Sequence, residues 1–208
     1  MTKIIYATTN PGKFKEVATI FKHHQVEIFN PSDLGVKLDV DETGTTLEEN
    51  ALLKAKAYKI YFPDDIVIAD DTGIAIKALQ GEPGIKVRRW KGYQMDDEAI
   101  ISYCLDRMKD VPDGHREAQF RTVLAVFAPG HDIVYFDGIL KGEILLTPKG
   151  IREPGMPFWP IFYLPNLAMT LGEFHHMPVA YQLQHPTHRE IAVSKFVKSS
   201  IFTQLNKS

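Results

Sequence analysis

The segment that decides the fold is KIIYATTNPGKFKEVATIF, residues 3–21. Residues 3–7 are mainly β-branched and aromatic, which predicts a short strand. After the polar TTNPGK, apolar residues recur at helical spacing, and Asn10 and Pro11 suit the N-cap and the first position of a helix. The segment therefore predicts a strand, a tight turn and a helix, an alternation that is typical of α/β proteins.

The rest of the chain continues this alternation. Further strands are predicted at 26–29, 66–69, 118–128, 133–144 and 161–164, and further helices at 48–61, 96–109 and 188–204. Thr45 or Thr46 is expected to cap the second helix, and 118–128 is expected to pair antiparallel with 133–144. Residues 80–93 are rich in Gly, Pro and basic groups and are expected to form a loop, whereas 150–165, rich in prolines and aromatics, is expected to be an ordered loop that leads into or out of the short strand at 161–164. We therefore predict an α/β fold with a mixed, twisted central sheet flanked by helices, in one domain over residues 1–208.

Composition and charge limit the class of function. Of the 208 residues, 44% are hydrophobic, and 24 Lys+Arg against 26 Asp+Glu give a net charge of −2. This balance argues against a dedicated binder of DNA or of an anionic membrane. No segment has the length of a signal peptide core or of a spanning helix, and the single cysteine, Cys104, permits no intrachain disulfide. We expect a cytoplasmic protein with no nucleic-acid and no membrane partner.

The turn TTNPGK joins a predicted strand to a helix N-terminus, where backbone N–H groups and the helix dipole favour an anion. Gly12 would let a phosphate approach the backbone, and Lys13 adds a positive charge. The turn is not a Walker A loop, because the GxxxxGK[ST] pattern is missing. An ordinary capped helix with a surface lysine explains the same residues, so a phosphate site requires a second, complementary group.

Two acidic pairs supply such a group. Asp41 and Glu42 lie in DVDETG, and Asp70 and Asp71 lie in IADDTG at the end of a predicted strand. Carboxylates from two segments suit Mg²⁺, which takes one or two of them and bridges to substrate phosphates. Each pair alone is equally explained as a turn former, and Lys54 as a solvated lysine. The two pairs together with the phosphate-type turn favour a site.

Five blocks of the sequence resemble, in order, those of the inosine/xanthosine triphosphate pyrophosphatase family of house-cleaning nucleotide hydrolases. The blocks are ATTNPGKFKEV, DETGTTLEENALLKAKA, ADDTGIAIKALQGEPGIKVRRW, the PIF of WPIFYLP, and THREIA. The blocks lie between residues 7 and 192, and the resemblance covers the chain from about residue 3 to residue 196, so it is more specific than any single motif. It implies the fold of that family and Mg²⁺-dependent cleavage between the α- and β-phosphates, which releases the monophosphate and pyrophosphate.

The resemblance also implies roles for individual residues. The implied substrate-binding residues are Thr8, Thr9, Asn10, Gly12 and Lys13 in the turn, then Thr72 and Arg89, and His188 and Arg189 at the family's Ser-His-Arg position, where Thr187 replaces Ser. Asp41 with Glu42 beside it would bind Mg²⁺. Asp71 would act as general base and as a metal-associated carboxylate, and Lys54 would face a phosphate. Arg89 is open to a second interpretation, as a residue that lines the rim of the site.

The segment that meets the nucleobase in the family differs here. Met156, Pro157, Phe158 and Trp159 stand where relatives carry Phe, Gly, Tyr and Asp. Phe158 or Trp159 would still stack on a base, since every base has a π-face; alternatively the two rings pack the proline-rich loop. The family's preference for 6-oxo purines is therefore not carried over from these residues.

The segment before the last motif differs as well. Leu183 takes the place of a family lysine, and His175, His176 and His185 are added. Their spacing does not match a helical metal-binding pair, so we interpret the three as solvated loop histidines.

These patterns favour an enzyme that hydrolyses purine nucleoside triphosphates such as ITP, XTP or dITP to the monophosphate and pyrophosphate, with Mg²⁺ as cofactor. Two alternatives stay open: the same reaction with a changed base specificity, and a nucleotide-binding scaffold without turnover. Retention of Asp41, Asp71, Lys13 and Lys54 argues against the scaffold. The resemblance further implies a homodimer, and the apolar residues of 156–181 are explained either as an interface or as core.

Overall fold

The computed structural model describes residues 3–205. The strands are β1 Ile4–Tyr6, β2 Ile28–Phe29, β3 Ile66–Ile76, β4 Pro83–Gly84, β5 Glu117–Phe127, β6 Val134–Ile144, β7 Phe162–Leu164 and β8 Met169–Thr170. The helices are α1 Pro11–His23, α2 Leu47–Lys59, α3 Asp97–Arg107, α4 Leu171–His175, α5 Val179–Gln182, α6 His188–Val197 and α7 Ser200–Leu205. Within residues 3–205, none of the helices combines the length and the apolar character that crossing a membrane requires.

The strands form a mixed sheet in the order β2-β1-β3-β5-β6-β7-β8, with β4 paired to β3. β1 runs parallel to β2 and β3, so that Ile4 lies opposite both Ile28 and Ile66. β4 is antiparallel to β3, and β7 is antiparallel to β6 and β8. The predicted α/β class, with a mixed sheet and flanking helices, is confirmed.

Local hydrogen bonds set where the first two helices begin. The Asn10 side chain accepts the N–H of Lys13 at 3.1 Å, and Pro11 follows at the first helical position, where a missing N–H costs nothing. Thr46 caps α2, and its hydroxyl and the Glu49 carboxylate form a reciprocal capping box. Thr46, and not Thr45, is therefore the cap of α2.

The chain divides into two compact units. The first comprises the described parts of Met1–Thr72, Thr122–Gly138 and Thr187–Ser208. In it, one cluster of buried side chains joins the strands to α1, α6 and α7, and another joins them to α2. The second unit comprises Gly73–Arg121 and Ile139–Pro186, and its core packs α3 and α4 with residues of the 156–164 segment. The single domain expected over residues 1–208 stays a prediction.

Two of the differences from the predicted elements have a clear physical reason. β3 was expected to end at residue 69 but continues through both aspartates to Ile76, because its later residues pair with β4. The helix predicted over 188–204 is two helices, α6 and α7. Between them the Ser199 hydroxyl donates to the Phe196 carbonyl and accepts the N–H of Phe202, which caps the second helix.

Candidate active site

Asp70 and Asp71 lie within β3, where successive side chains point to opposite faces of the sheet. Ile68, two residues before Asp70, packs with buried residues of α1 and α6. Ala69, two residues before Asp71, packs with buried residues of α2. The alternation therefore turns Asp70 toward α1 and α6, and Asp71 toward α2. One acidic dipeptide thus enters two different environments.

Asp70 is 2% exposed and is surrounded by a hydroxyl and two cations. The Tyr6 hydroxyl donates to Oδ1 at 2.6 Å, Lys13 Nζ lies 3.3 Å from Oδ2, and Arg189 Nε donates to Oδ2 at 3.4 Å. Burial by itself raises the pKa of this carboxyl, but the charges of Lys13 and Arg189 outweigh it and hold the pKa of Asp70 far below its usual range. Asp70 is therefore a fixed negative charge.

Arg189 links the last part of the chain to this charge. Its guanidinium is 4% exposed, with Nη1 2.8 Å from Glu16 Oε2 and Nη2 3.3 Å from the hydroxyl of Thr72. Burial lowers the pKa of Arg189, but Glu16 and Asp70 more than compensate, so the pKa lies above its usual value. Thr72 in turn donates to Asp70 Oδ2 at 3.1 Å. The guanidinium thus holds Asp70 and Thr72 in place, and the substrate contact implied for Arg189 stays a prediction.

Asp71 lies among residues of α2. Asn50 Nδ2 donates to its Oδ2 at 3.1 Å, and Lys54 Nζ lies 3.5 Å from its Oδ1. Burial raises the pKa of Asp71 above its ordinary value, although the positive charges of Lys54 and Lys13 oppose this. Neighbouring carboxylates with widely separated pKa values are typical of acid–base sites, in which the carboxylate with the higher pKa accepts a proton. Here that carboxylate is Asp71.

Lys54 joins the two acidic pairs. Its Nζ lies 2.7 Å from Glu42 Oε1 and 3.5 Å from Asp71 Oδ1. Burial lowers the pKa of Lys54, but Asp71, Asp70 and Glu42 outweigh it and raise the pKa above its usual value. Lys54 therefore stays protonated and keeps its charge among three carboxylates.

The segment that carries Glu42 is attached to α2 through a glycine. The Gly44 N–H donates to Asn50 Oδ1 at 2.8 Å, so this amide bridges the DETG turn and Asp71. A Cβ at Gly44 would lie 2.6 Å from Asn50 Oδ1 and 2.7 Å from Glu49 Cβ. Only glycine therefore permits this close approach.

The turn residues lie beside the same acids. Thr8 is buried, and its hydroxyl accepts the N–H of Asn10 at 3.2 Å, while Thr9 is exposed and Gly12 half-buried. Lys13, in the first turn of α1, reaches Asp70 as described above, and burial lowers its pKa despite that carboxylate. The structure thus brings the turn, the acids of β3 and Lys54 into one unit.

Helix α6 begins at His188, which is 1% exposed. The Thr187 hydroxyl caps this helix by accepting the N–H of Glu190 at 3.4 Å. The cap places His188 and Arg189 side by side in the first turn of α6. Arg189 contacts Asp70 of β3.

Three residues implied as substrate contacts lie in the second unit. Arg89 is exposed, whereas Phe158 is 2% exposed and packs against Phe120. Trp159 is 8% exposed and stacks on His175, with ring centroids 4.3 Å apart. The interpretation of His175 as a solvated loop residue is wrong, because it lies in α4 against this indole. Stacking of Phe158 or Trp159 on a nucleobase stays a prediction and would require the rings to move.

The oxygen ligands near Lys54 suit a divalent cation. Glu42 and Asp71 both lie within ion-pair distance of one ammonium, and two carboxylates are what Mg²⁺ commonly takes from a protein. Asp41 is exposed next to Glu42. Across residues 3–205, no group of three or more His, Cys, Asp or Glu side chains is arranged to hold a metal ion. The donor set therefore fits a cation that completes its coordination with water and substrate oxygens.

The sequence patterns missed four polar residues of this site, namely Tyr6, Glu16, Asn50 and Thr122. Two of them carried a usable signal: Asn50 lies four residues before Lys54, and Glu16 three residues after Lys13, so each shares a helix face with a predicted site residue. Tyr6 and Thr122 reach the site only through strand pairing. The Thr122 hydroxyl lies 2.7 Å from that of Thr72, fifty positions earlier.

Comparison with known proteins agrees with this geometry. The model of the Ham1 family matches residues 4–199. A dITP/XTP pyrophosphatase of Thermoanaerobacter sp. (strain X514) is 42% identical over 171 residues, which are 82% of this chain and 84% of that protein. The protein of the same name from Bacillus subtilis (strain 168) is 35% identical over 198 residues, 95% of this chain and 96% of that protein.

Solved structures agree as well. The Staphylococcus aureus Ham1 protein aligns with a TM-score of 0.76 and 33% identity, over 99% of this chain and 100% of that chain. The order of elements, the acidic dipeptide in β3 and the sequence matches lead to one conclusion. The chain belongs to the Ham1 family.

Proposed function

We propose that this protein hydrolyses purine nucleoside triphosphates of the ITP, XTP and dITP class to the monophosphate and pyrophosphate. The observation that carries the proposal is the acidic dipeptide of β3, in which Asp70 is held ionised by Lys13 and Arg189 while burial raises the pKa of Asp71. The names of the two similar proteins, both dITP/XTP pyrophosphatases, support the substrate class.

In this proposal, the turn before α1 binds the phosphate groups. Backbone groups at the N-terminus of a helix and the positive end of its dipole attract an anion, and Gly12 has no side chain to block the approach. Lys13 and Lys54, with side chains 18% and 13% exposed, supply positive charge on two sides of the acids. Such charges stabilise the negative charge that builds up as a phosphorus–oxygen bond breaks.

Asp71 acts as the general base. A water oxygen attacks the α-phosphorus, and one water proton passes to the Asp71 carboxylate. The bond between the α-phosphorus and the oxygen that bridges to the β-phosphorus breaks, and its electron pair leaves with pyrophosphate. The raised pKa of Asp71 makes it a stronger proton acceptor than an ordinary carboxylate. Asn50, through its hydrogen bond of 3.1 Å, orients that carboxylate.

Asp71 and Glu42 are the residues that would hold Mg²⁺, and Asp41 lies one position away from Glu42. When bound, the cation supplies neutralisation of phosphate charge and an ordered water. The Glu42–Lys54 pair sets where the acidic turn lies relative to Asp71.

The base specificity is a separate part of the proposal. Phe158 and Trp159 are buried in the core of the second unit, and Pro157 precedes them. Pro157, Phe158 and Trp159 also differ in type from the Gly, Tyr and Asp that the family resemblance implies at these positions. This observation favours, as the second candidate, the same reaction with a changed base preference.

The proposal also includes a homodimer in the cytoplasm, without nucleic acid or membrane partners. Most apolar side chains of the 156–181 segment are core residues of the second unit, which removes them as interface candidates. Val179 remains 48% exposed in the same segment. The net charge of −2 gives the chain no excess of positive charge for a polyanion.

The test measures pyrophosphate release from ITP, XTP, dITP, ATP and GTP with Mg²⁺, for the wild type and for Asp71→Asn. We expect Asp71→Asn to lose roughly 10²-fold or more in rate, the usual contribution of a general base. Asp137→Asn, which removes an exposed carboxylate from β6, is the matched control and should retain full activity. Equal rates for wild type and Asp71→Asn would remove the proposed base. A preference for ATP or GTP would exclude the ITP class of substrate.

A further inference from the structure

Helix α3 of the second unit contacts two segments in which the family resemblance implies substrate contacts. The first, residues 82–90, carries Arg89, and the second, residues 152–159, carries Phe158 and Trp159. These two segments are more than sixty positions apart in the chain. Contacts to a shared helix therefore determine how one lies against the other.

The first segment is attached to α3 at two places. Glu82 accepts a hydrogen bond from Arg107 Nη1 at 2.9 Å and another from Trp90 Nε1 at 2.9 Å. Six positions later, Arg88 Nη1 lies 2.6 Å from Asp97 Oδ1. Arg107 and Asp97 are the last and first residues of α3, so the segment is held along the whole helix, a length of about 15 Å.

The second segment is attached to the same aspartate. The Gly155 N–H donates to Asp97 Oδ2 at 2.8 Å, and Gly155 has a φ of +86°, which favours glycine at this turn. Met156 follows immediately and begins a run of turns in which the Trp159 N–H donates to the Met156 carbonyl at 3.1 Å. Fixing Gly155 therefore fixes the start of the segment that carries both rings.

The two segments also contact each other directly, with Trp90 and Phe158 ring centroids 6.5 Å apart. A shift of either segment would disturb this contact. Asp97 therefore contacts the first segment through Oδ1 and the second through Oδ2. The same two segments meet at the Trp90–Phe158 ring contact.

We propose that Asp97 is a positioning residue for nucleobase binding, since it clamps the Arg89 segment and the Phe158–Trp159 segment at a fixed separation. This inference rests on the proposed function. The carboxylate does not itself touch the substrate. Its role is to keep two contact surfaces in register, so its loss should weaken substrate binding and leave the bond-breaking step intact.

The test compares Asp97→Ala and Asp97→Asn with the wild type. We expect Asp97→Ala to raise KM for ITP about tenfold, the effect of losing one charge-assisted hydrogen bond, while kcat stays within about twofold. Asp97→Asn keeps an acceptor for the Gly155 N–H but loses the charge opposite Arg88. It should raise KM about threefold, because only one of the two attachments is weakened.

Hydrogen exchange measures the clamp without turnover. In Asp97→Ala, amides of residues 152–159 should exchange faster than in the wild type, whereas in Asp97→Asn the Gly155 amide should stay protected. Glu98→Gln is the matched control: Glu98 is the next residue of α3 and pairs with Arg152 of the same segment, but their side chains are 65% and 51% exposed. An exposed pair contributes little, so KM and exchange should stay unchanged.

The outcomes separate this inference from the proposed function. A wild-type protein that releases no pyrophosphate from any purine nucleoside triphosphate overturns the proposed function. Unchanged exchange at 152–159 in Asp97→Ala overturns the clamp, whatever the activity. Faster exchange with unchanged KM, or a fall in kcat at constant KM, overturns the link between the clamp and nucleobase binding.

Discussion

Neutralising Asp70 should lower the stability of the protein, whereas neutralising Asp71 should lower its activity and leave its stability intact. Asp70→Asn and Asp71→Asn are isosteric changes at adjacent positions, and each removes one negative charge. Asp70 is 2% exposed and faces Lys13 and Arg189, so its loss leaves buried positive charge unpaired. Asp71 carries a raised pKa because burial disfavours its charged form. We expect the first variant to lose stability and the second to lose activity.

The magnitude for Asp70→Asn follows from the contacts. Breaking a buried ion pair by removing one partner costs about 3–5 kcal/mol. Arg189 keeps its contact with Glu16 at 2.8 Å, and the Lys13 side chain is 18% exposed, so both cations retain some compensation. The expected loss is therefore about 3 kcal/mol, equivalent to a fall in the thermal midpoint of roughly 6–12 °C for a chain of this size.

The magnitude for Asp71→Asn follows from the sign of its pKa shift. A folded-state pKa above the unfolded value means that the ionised carboxyl destabilises the fold at neutral pH. The neutral amide removes this penalty and is able to keep the hydrogen bond with Asn50. Stability at neutral pH should therefore be unchanged or rise.

The assay is urea unfolding followed by circular dichroism at pH 7 with a chelator present, for both variants and for the exposed control Asp137→Asn. If Asp70→Asn proves too unstable to purify, Lys13→Met tests the same ion pair, because it removes the positive charge beside Asp70 instead of the negative one. Equal losses of stability in Asp70→Asn and Asp71→Asn would refute the reasoning, since they would show that a negative charge has the same effect on stability on both faces of β3.

Two further outcomes are expected. The rate of pyrophosphate release should fall on acidification at a higher pH than an ordinary carboxyl would give, because burial raises the pKa of Asp71 and the base must be ionised. In Lys54→Met this fall should move to still higher pH, since Lys54 lowers the pKa of Asp71. A pH–rate profile that Lys54→Met leaves unchanged would contradict the assignment of Asp71 as the base. Cys104 should resist alkylation by iodoacetamide at pH 8 in the native protein and react after unfolding in urea, because burial raises the pKa of its thiol to about 12; rapid modification of the native chain would contradict its burial.

Local interactions made much of the fold predictable. The Asn10 cap followed by Pro11 and the Thr46 capping box involve residues no more than four positions apart, and so do the repeating apolar residues of each helix. These features favour one conformation before any distant contact forms. The turn, the acidic pairs and Lys54 were likewise visible as candidates because each belongs to a short motif.

The tertiary structure alone decided what each candidate does. Pairing of β3 with β4 carries the strand past Asp71, and the alternation of its side chains then sends Asp70 to Arg189, 119 positions away, and Asp71 to α2. No periodicity in the sequence distinguishes two adjacent aspartates. Their difference arises from which groups strand pairing and helix packing bring within a few ångströms in a region shielded from water, where a neighbouring charge has its largest effect.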